Sequence, residues 1–144
     1  MIDKDKQPGI KFHDVILAKE TFERIPEFPE QIDLDIGFEF SISSANDDYY
    51  GELITSVRCL SESGQEVLTM KCTHVGVFSV IEGEENMSIQ DFMENNAAAL
   101  MFPFVREHIY STTKKACISP IALPPINIRA MIKDQKNSDN QANN

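Results

Sequence analysis

At 144 residues with 42% hydrophobic side chains, the chain carries enough apolar material for one domain with its own core, and too little length for two comfortable ones. A formal net charge of −10 and a pI near 4.6 argue against the clustered Lys and Arg that phosphate backbones and anionic membrane faces demand, so nucleic acid and membrane insertion are set aside. The same acidity keeps a protein soluble while it displays an apolar patch, and it favours encounters with basic, unfolded or signal-bearing chains.

The stretch 1–9 alternates charges and ends in Pro8-Gly9, without the apolar region of a secretory signal, and is expected to be flexible. No apolar run approaches the length of a membrane span. Three widely spaced cysteines are an odd number and fit free thiols in a reducing compartment, so a cytoplasmic location is expected. Nine Phe and three Tyr supply flat apolar surface for a core or a groove.

Along the chain, Phe12, Val15, Ile16, Leu17 and Phe22 predict a first strand between Lys11 and Phe22. Ile25-Pro26-Glu27-Phe28-Pro29 can continue neither a helix nor a central strand, because each proline lacks its amide hydrogen and restricts the residue before it; it reads as a crossover loop carrying an exposed Phe28. From Ile32 to Ser43, apolar Ile32, Leu34, Ile36, Phe38, Phe40 and Ile42 alternate strictly with polar residues and Gly37, which predicts a half-buried strand. Turn residues 45–48 lead to a third strand over Tyr49–Leu60, with Leu53, Thr55, Val57 and Cys59 on one face. Ser61-Glu62-Ser63-Gly64 turns the chain back into a fourth, Glu66–Ile81, with Leu68, Met70, Cys72 and His74 on one side and Thr69, Lys71 and Thr73 on the other.

After Glu85 the pattern becomes helical. Ser88 is placed as an N-cap, and a stripe of Leu100, Phe104, Val105, Ile109, Thr112 and Ala116 follows. Pro103 predicts either a helix starting near Phe102 or two pieces meeting at a kink. A proline-rich connector over 119–125 precedes a short last helix capped by Asn127, and the residues from Lys133 on are too polar to pack. The domain is therefore set at 10–132, with a polar disordered tail over 133–144. Strands first and helices after predict an α+β fold, a four-stranded antiparallel sheet with two helices on one face.

Chemistry is scarce. Cys72 and His74 would point to one side of a strand, as a thiol nucleophile or a metal site requires, but no further ligand or orienting base stands at motif spacing, so both read as packed core. Asp33 with Asp35 falls on a solvated face, and Asp47 with Asp48 lies in a turn that Asp favours for its own hydrogen bonds. The glycines are dispersed, so no phosphate-cradling loop exists. No enzyme activity, cofactor or metal is expected.

Three segments go beyond pattern: Gly76-Val77-Phe78-Ser79-Val80, Leu100-Met101-Phe102-Pro103-Phe104-Val105-Arg106-Glu107, and Leu123-Pro124-Pro125-Ile126-Asn127-Ile128. In order and spacing they resemble the SecB family of protein-export chaperones over roughly Lys11 to Ile132. The resemblance implies an ATP-independent holdase that binds unfolded polypeptides or preproteins along apolar grooves, assembled through edge strands and long helices as a homotetramer, a dimer of dimers. On that reading Phe22, Phe28, Phe38, Tyr49, Tyr50 and Phe78 are the candidates for the client groove, with Phe38 and Phe40 also readable as ordinary core. Phe102, Phe104, Arg106 and Ile109 are the candidates for the oligomer interface. The family's partner SecA would meet acidic groups on the exposed sheet face and tail. Here Glu23 is retained, but the strand positions that match carry Lys19 and Lys71, and the tail 137–144 has Asp139 as its one acid, which counts against docking to SecA; the crossover segment is short and lacks Trp, which implies a narrower groove. A dedicated chaperone of one client such as an antitoxin, and a non-catalytic adaptor between folded partners, are the alternative readings.

Overall fold

Alternation at period two builds four long strands, β1 (Ile10–Arg24), β2 (Asp33–Ala45), β3 (Asp48–Leu60) and β4 (Glu66–Val80). In a computed structural model, which describes residues 8–132, they form one antiparallel sheet in the order β1-β4-β3-β2. The polar tail expected over 133–144, and all but the last two residues of the flexible stretch expected over 1–9, lie outside the described residues. Pro8 and Gly9, the last two of that stretch, are described. Ile81 donates to the Gly9 carbonyl at 2.9 Å and Asn86 to that of Pro8 at 3.2 Å. Gly9 sits at φ +74, where a Cβ would fall 1.8 Å from the Glu84 carbonyl oxygen, so only glycine fits.

Two hairpins set the register. Asn46 and Asp47 both take positive φ, 52 and 68, the mirror-image turn whose twist matches the flanking strands, and the pairing runs from Ala45 opposite Asp48 to Asp33 opposite Leu60. Gly64, at φ +85, closes the second hairpin. β1 pairs with β4 from Ile10 opposite Val80 to Arg24 opposite Leu68, with irregularities after Phe12 and Leu17. Because β1 and β2 are opposite edges, residues 25–32 must cross three strand spacings, roughly 14 Å, which eight residues at ~3.3 Å each span with slack.

One face of the sheet is covered by a continuous helical run: α1 (Ile89–Phe92), a π-helical turn (Met93–Ala97) and α2 (Ala98–Lys115). Ser88 caps the run, its Oγ accepting from the Asp91 amide at 3.4 Å. Pro103 stands inside α2, so neither a start at Phe102 nor a break occurs. The carbonyl that loses its partner belongs to Ala99, which is exposed, so water can satisfy it. The buried stripe is also rotated from expectation. Ala98, Met101, Phe102, Val105, Ile109 and Thr113 face the sheet, leaving Leu100 and Phe104 exposed at 43% and 51%.

The close approach of α2 is made by an opposed glycine pair, Gly51 and Gly76. A Cβ on Gly76 would meet Met101 Sδ at 2.8 Å, and one on Gly51 the Phe40 ring at 2.8 Å. Beneath the helix Phe78 stacks on Phe12 at 4.7 Å and meets Phe92 edge-on, while Phe38 meets Phe102 edge-on. After α2 the chain returns along the core through Ile121 and Leu123, held by Thr113, whose Oγ1 accepts from the Ile121 amide at 2.9 Å and donates to the Ile109 carbonyl. The described residues end in a helical stretch over 128–132, with Asn127 Oδ1 accepting from the Ala130 amide at 3.1 Å.

Candidate functional site

The two edges of the sheet are less covered than its middle. No residue of β1 is fully buried, although Phe12, Val15 and Phe22 lean on the core and Leu17 is 42% exposed. From β1 through the crossover into β2, Phe22, Ile25, Phe28 and Ile32 are half-buried and Leu34 is exposed, so the end of the sheet that the crossover spans carries a row of apolar side chains with Glu27, Glu30 and Asp33 exposed among them. Phe28, expected to be exposed, is half-buried because its ring lies against the Arg24 guanidinium, 5.5 Å from carbon to centroid. The loop then passes the β3–β4 turn, and Glu30, Gln31, Ile32, Asp33 and Glu62 line an open cavity of about 460 Å³ between them. A second cavity of about 410 Å³ lies beside the far end of β2, between Phe40, Ile42, Ala98 and Ile132, with Glu94 and Arg129 at its polar side.

Of the six expected groove residues, Phe22, Phe28, Tyr49 and Tyr50 retain accessible surface. Phe38 and Phe78 are corrections: at 1% and 0% exposed, their rings are spent in the core and offer nothing to a ligand while the fold is intact. The same holds for two interface candidates. Phe102 and Ile109 face the sheet of their own chain, whereas Phe104 and Arg106 stand on the open side of α2. Glu23 lies on the helix-free face, where Lys19, Lys71, Arg58, Asp35 and Glu52 mix both signs and Arg58 pairs with Asp35 at 2.9 Å. Sequence reasoning missed Arg24, and it missed Leu17 and Leu100 as open apolar surface. An Arg at the end of a strand, two residues before a proline, was the available signal for the first.

Cys72 and His74 share the helix-covered face, as their spacing predicts. Burial pushes the Cys72 thiol up to about 11, with the nearby Glu20 carboxylate adding to it, so this is a thiol and not a thiolate nucleophile. Burial, reinforced by His108, holds the His74 imidazole below its usual value, and Glu20 opposes them. His108 Nε2 meets Glu20 Oε1 at 2.8 Å and its ring stands edge-on to His74 at 5.5 Å, which ties α2 to β1 and β4. Among the described residues no group of three His, Cys, Asp or Glu could hold a metal ion, and no helix is long and apolar enough to cross a membrane.

The class defined by this geometry is an α+β scaffold that displays apolar surface along sheet edges and loops rather than around reactive groups. The family model described as preprotein translocase subunit SecB matches residues 12–139, and the chain belongs to the SecB family. An uncharacterized protein of Methanocaldococcus jannaschii is 29% identical over 130 residues, which cover 86% of this chain and 83% of that one. The protein-export protein SecB of Saccharophagus degradans is 28% identical over 87 residues, 59% of this chain and about half (51%) of that one. Among solved structures, a Mycobacterium tuberculosis SecB-like chaperone in complex with an antitoxin peptide superposes with a TM-score of 0.68 at 16% identity, covering 82% of this chain and 91% of that one, a likeness of fold.

Proposed function

We propose that this chain is an ATP-independent chaperone that holds non-native polypeptides for export or folding, and that it performs no catalysis. The observation that carries the reading is the line Phe22, Ile25, Phe28, Ile32 and Leu34, in a SecB-family fold. Isolated apolar side chains at a surface need no explanation, but a row of them that leads from an open sheet edge into a loop is what an extended peptide can lie against. Aromatic and branched side chains make contacts that tolerate any client sequence, and the acidic rim of Glu27, Glu30 and Asp33 disfavours acidic segments.

A second copy would pack on the open side of β1 and α2, where Leu17, Leu100 and Phe104 leave apolar area uncovered, and further pairing would give the dimer of dimers of a cytoplasmic carrier. Docking of SecA around Glu23 finds less support, because the mixed charges of that face create no field of a single sign to steer a charged motor. Dedication to one client is the second reading, favoured by the fold shared with a chaperone that holds an antitoxin peptide.

Titration of a slow-folding polypeptide with the purified chain, with aggregation and complex mass followed together by light scattering, tests the proposal. Suppressed aggregation by a tetramer-sized carrier supports the general holdase. A well-folded oligomer that leaves aggregation unchanged contradicts it and points to a single dedicated client.

A further inference from the structure

The crossover loop has a structural difficulty that its sequence makes plain. Pro26 and Pro29 lack amide hydrogens, so the segment keeps all its carbonyls but has two fewer donors with which to fasten itself. The end of α2 lies beside it. The Ala116 and Cys117 amides close the last turn on the Thr112, Thr113 and Lys114 carbonyls, and Cys117 takes the left-handed conformation at φ 58 that usually falls to glycine. One side chain joins the two segments. Arg24, the last residue of β1, pairs with Leu68 and shares the helix-covered side of the strand with Phe22. Its Nε donates to the Ile25 carbonyl at 2.9 Å, one terminal nitrogen to the Pro26 carbonyl at 2.9 Å, and the other to the carbonyl of Ala116 immediately after α2. The same guanidinium lies over the Phe28 ring.

We propose that Arg24 is the positioning residue of the client site: it fixes the crossover loop, the Phe28 ring and the end of α2 to one another, and so holds the apolar side chains of the loop in one arrangement. The inference rests on the reading of the loop as a place where polypeptide binds. On either side of Arg24 the two fastened segments carry half-buried apolar side chains, Ile25, Phe28 and Ile32 from the loop and Ile118 from the chain after α2. Lysine cannot substitute. An ammonium is a single point of charge without a planar face, whereas guanidinium presents diverging donors in a rigid fork and stacks on a ring at the same time. The positive charge also lies at the negative end of the α2 dipole, which favours this geometry over one in which the side chain swings into solvent.

The chain contains no tryptophan, so Phe28→Trp places a single indole on the guanidinium and reports the loop directly. The probe client is reduced and alkylated ribonuclease, which stays unfolded. In the Phe28→Trp protein, Arg24→Gln and Arg24→Lys are each expected to shift the indole emission to the red. In the otherwise native chain, both are expected to weaken client binding by roughly tenfold, the size that loss of one fixed aromatic anchor produces. Failure of lysine to rescue separates positioning from simple charge. If Arg24→Gln does not fold, Arg24→Lys carries the test, and loss of fold in both overturns the proposal by making Arg24 a general structural residue. Unchanged emission and affinity in either folded variant, with binding weakened by Phe28→Ser, overturns the inference while leaving the loop as the client site. Unchanged affinity in Phe28→Ser removes the loop reading, and the inference falls with it.

Discussion

β1 and β4 are neighbours in one sheet, equal in length and paired along almost all of it, yet they lead different lives. In β4 every second residue from Leu68 to Phe78 is sealed under the helical layer, down to Cys72 and Phe78 at 0% exposed; in β1 no residue is fully buried, and Ile16 and Leu17 are nearly half open. β1 alternates less strictly, with irregularities after Phe12 and Leu17, yet Phe12, Val15, Leu17 and Phe22 share the helix-covered side and none is fully buried. Coverage makes the difference. A helix of this size seals the two middle strands and leaves the edges with apolar side chains that nothing within the chain fully covers. Stability accordingly concentrates in β3, β4 and α2, and the surface available for binding lies on β1, the crossover and β2.

That contrast can be broken from the core side first. Phe78→Ala deletes a ring enclosed by Phe12 and Phe92 and is expected to cost about 3–5 kcal/mol in denaturant unfolding. Gly76→Val forces atoms against Met101 and is expected to cost about 1–3 kcal/mol, while the same change at the exposed turn residue Gly64 meets no atom within 4 Å and strains only the backbone. Both effects belong to folding, so client binding by the folded fraction is expected to persist.

The helix-to-sheet contact gives a pH dependence of definite sign. Because His74 is held below its ordinary value of 6.5, the unfolded chain binds more protons than the folded one; its stability contribution is complete above about pH 6.5 and is lost as pH falls below that value. Glu20 and His108 are the titratable neighbours that face it, from β1 and α2. At the alkaline end the raised Cys72 thiol works the other way, and its stabilisation is lost as pH rises from 9.0 towards about 11. Thermal unfolding followed from pH 7 to 5 checks the first expectation, and His74→Leu is expected to flatten the slope.

Smaller effects sharpen the edge side. Cys117→Gly relieves a left-handed side-chain residue at the end of α2 and is expected to gain roughly 1 kcal/mol. Phe104→Ser, on the open side of the helix, is expected to change unfolding by only about 0.5 kcal/mol while lowering the mass of the assembly seen by light scattering.

Much of this was legible in the sequence. The four strands, both hairpin turns, the Ser88 and Asn127 caps and the side of the strand that holds Cys72 and His74 follow from local rules, because period two and capping chemistry act over a few residues. The buried stripe of α2 was misread by a small rotation. Leu100 and Phe104 are as hydrophobic as Met101 and Phe102, and only the notch at Gly51 and Gly76, assembled from two strands, decides which set enters the sheet. For the same reason Phe38 and Phe78 could not be told from groove residues in advance: chemistry gives a ring its affinity for apolar surroundings, but tertiary coverage decides who supplies them. Arg24 escaped because its three acceptors are backbone carbonyls, two from a loop and one from a helix end far along the chain.

Hydrogen exchange of the chain, free and saturated with a permanently unfolded polypeptide, tests the division between core and edge most directly. Added protection over residues 20–36, with β3 and β4 unchanged, is the predicted result. Protection confined to the helix-free face of the sheet, or none at all in a chain shown to have bound its client, would contradict the account.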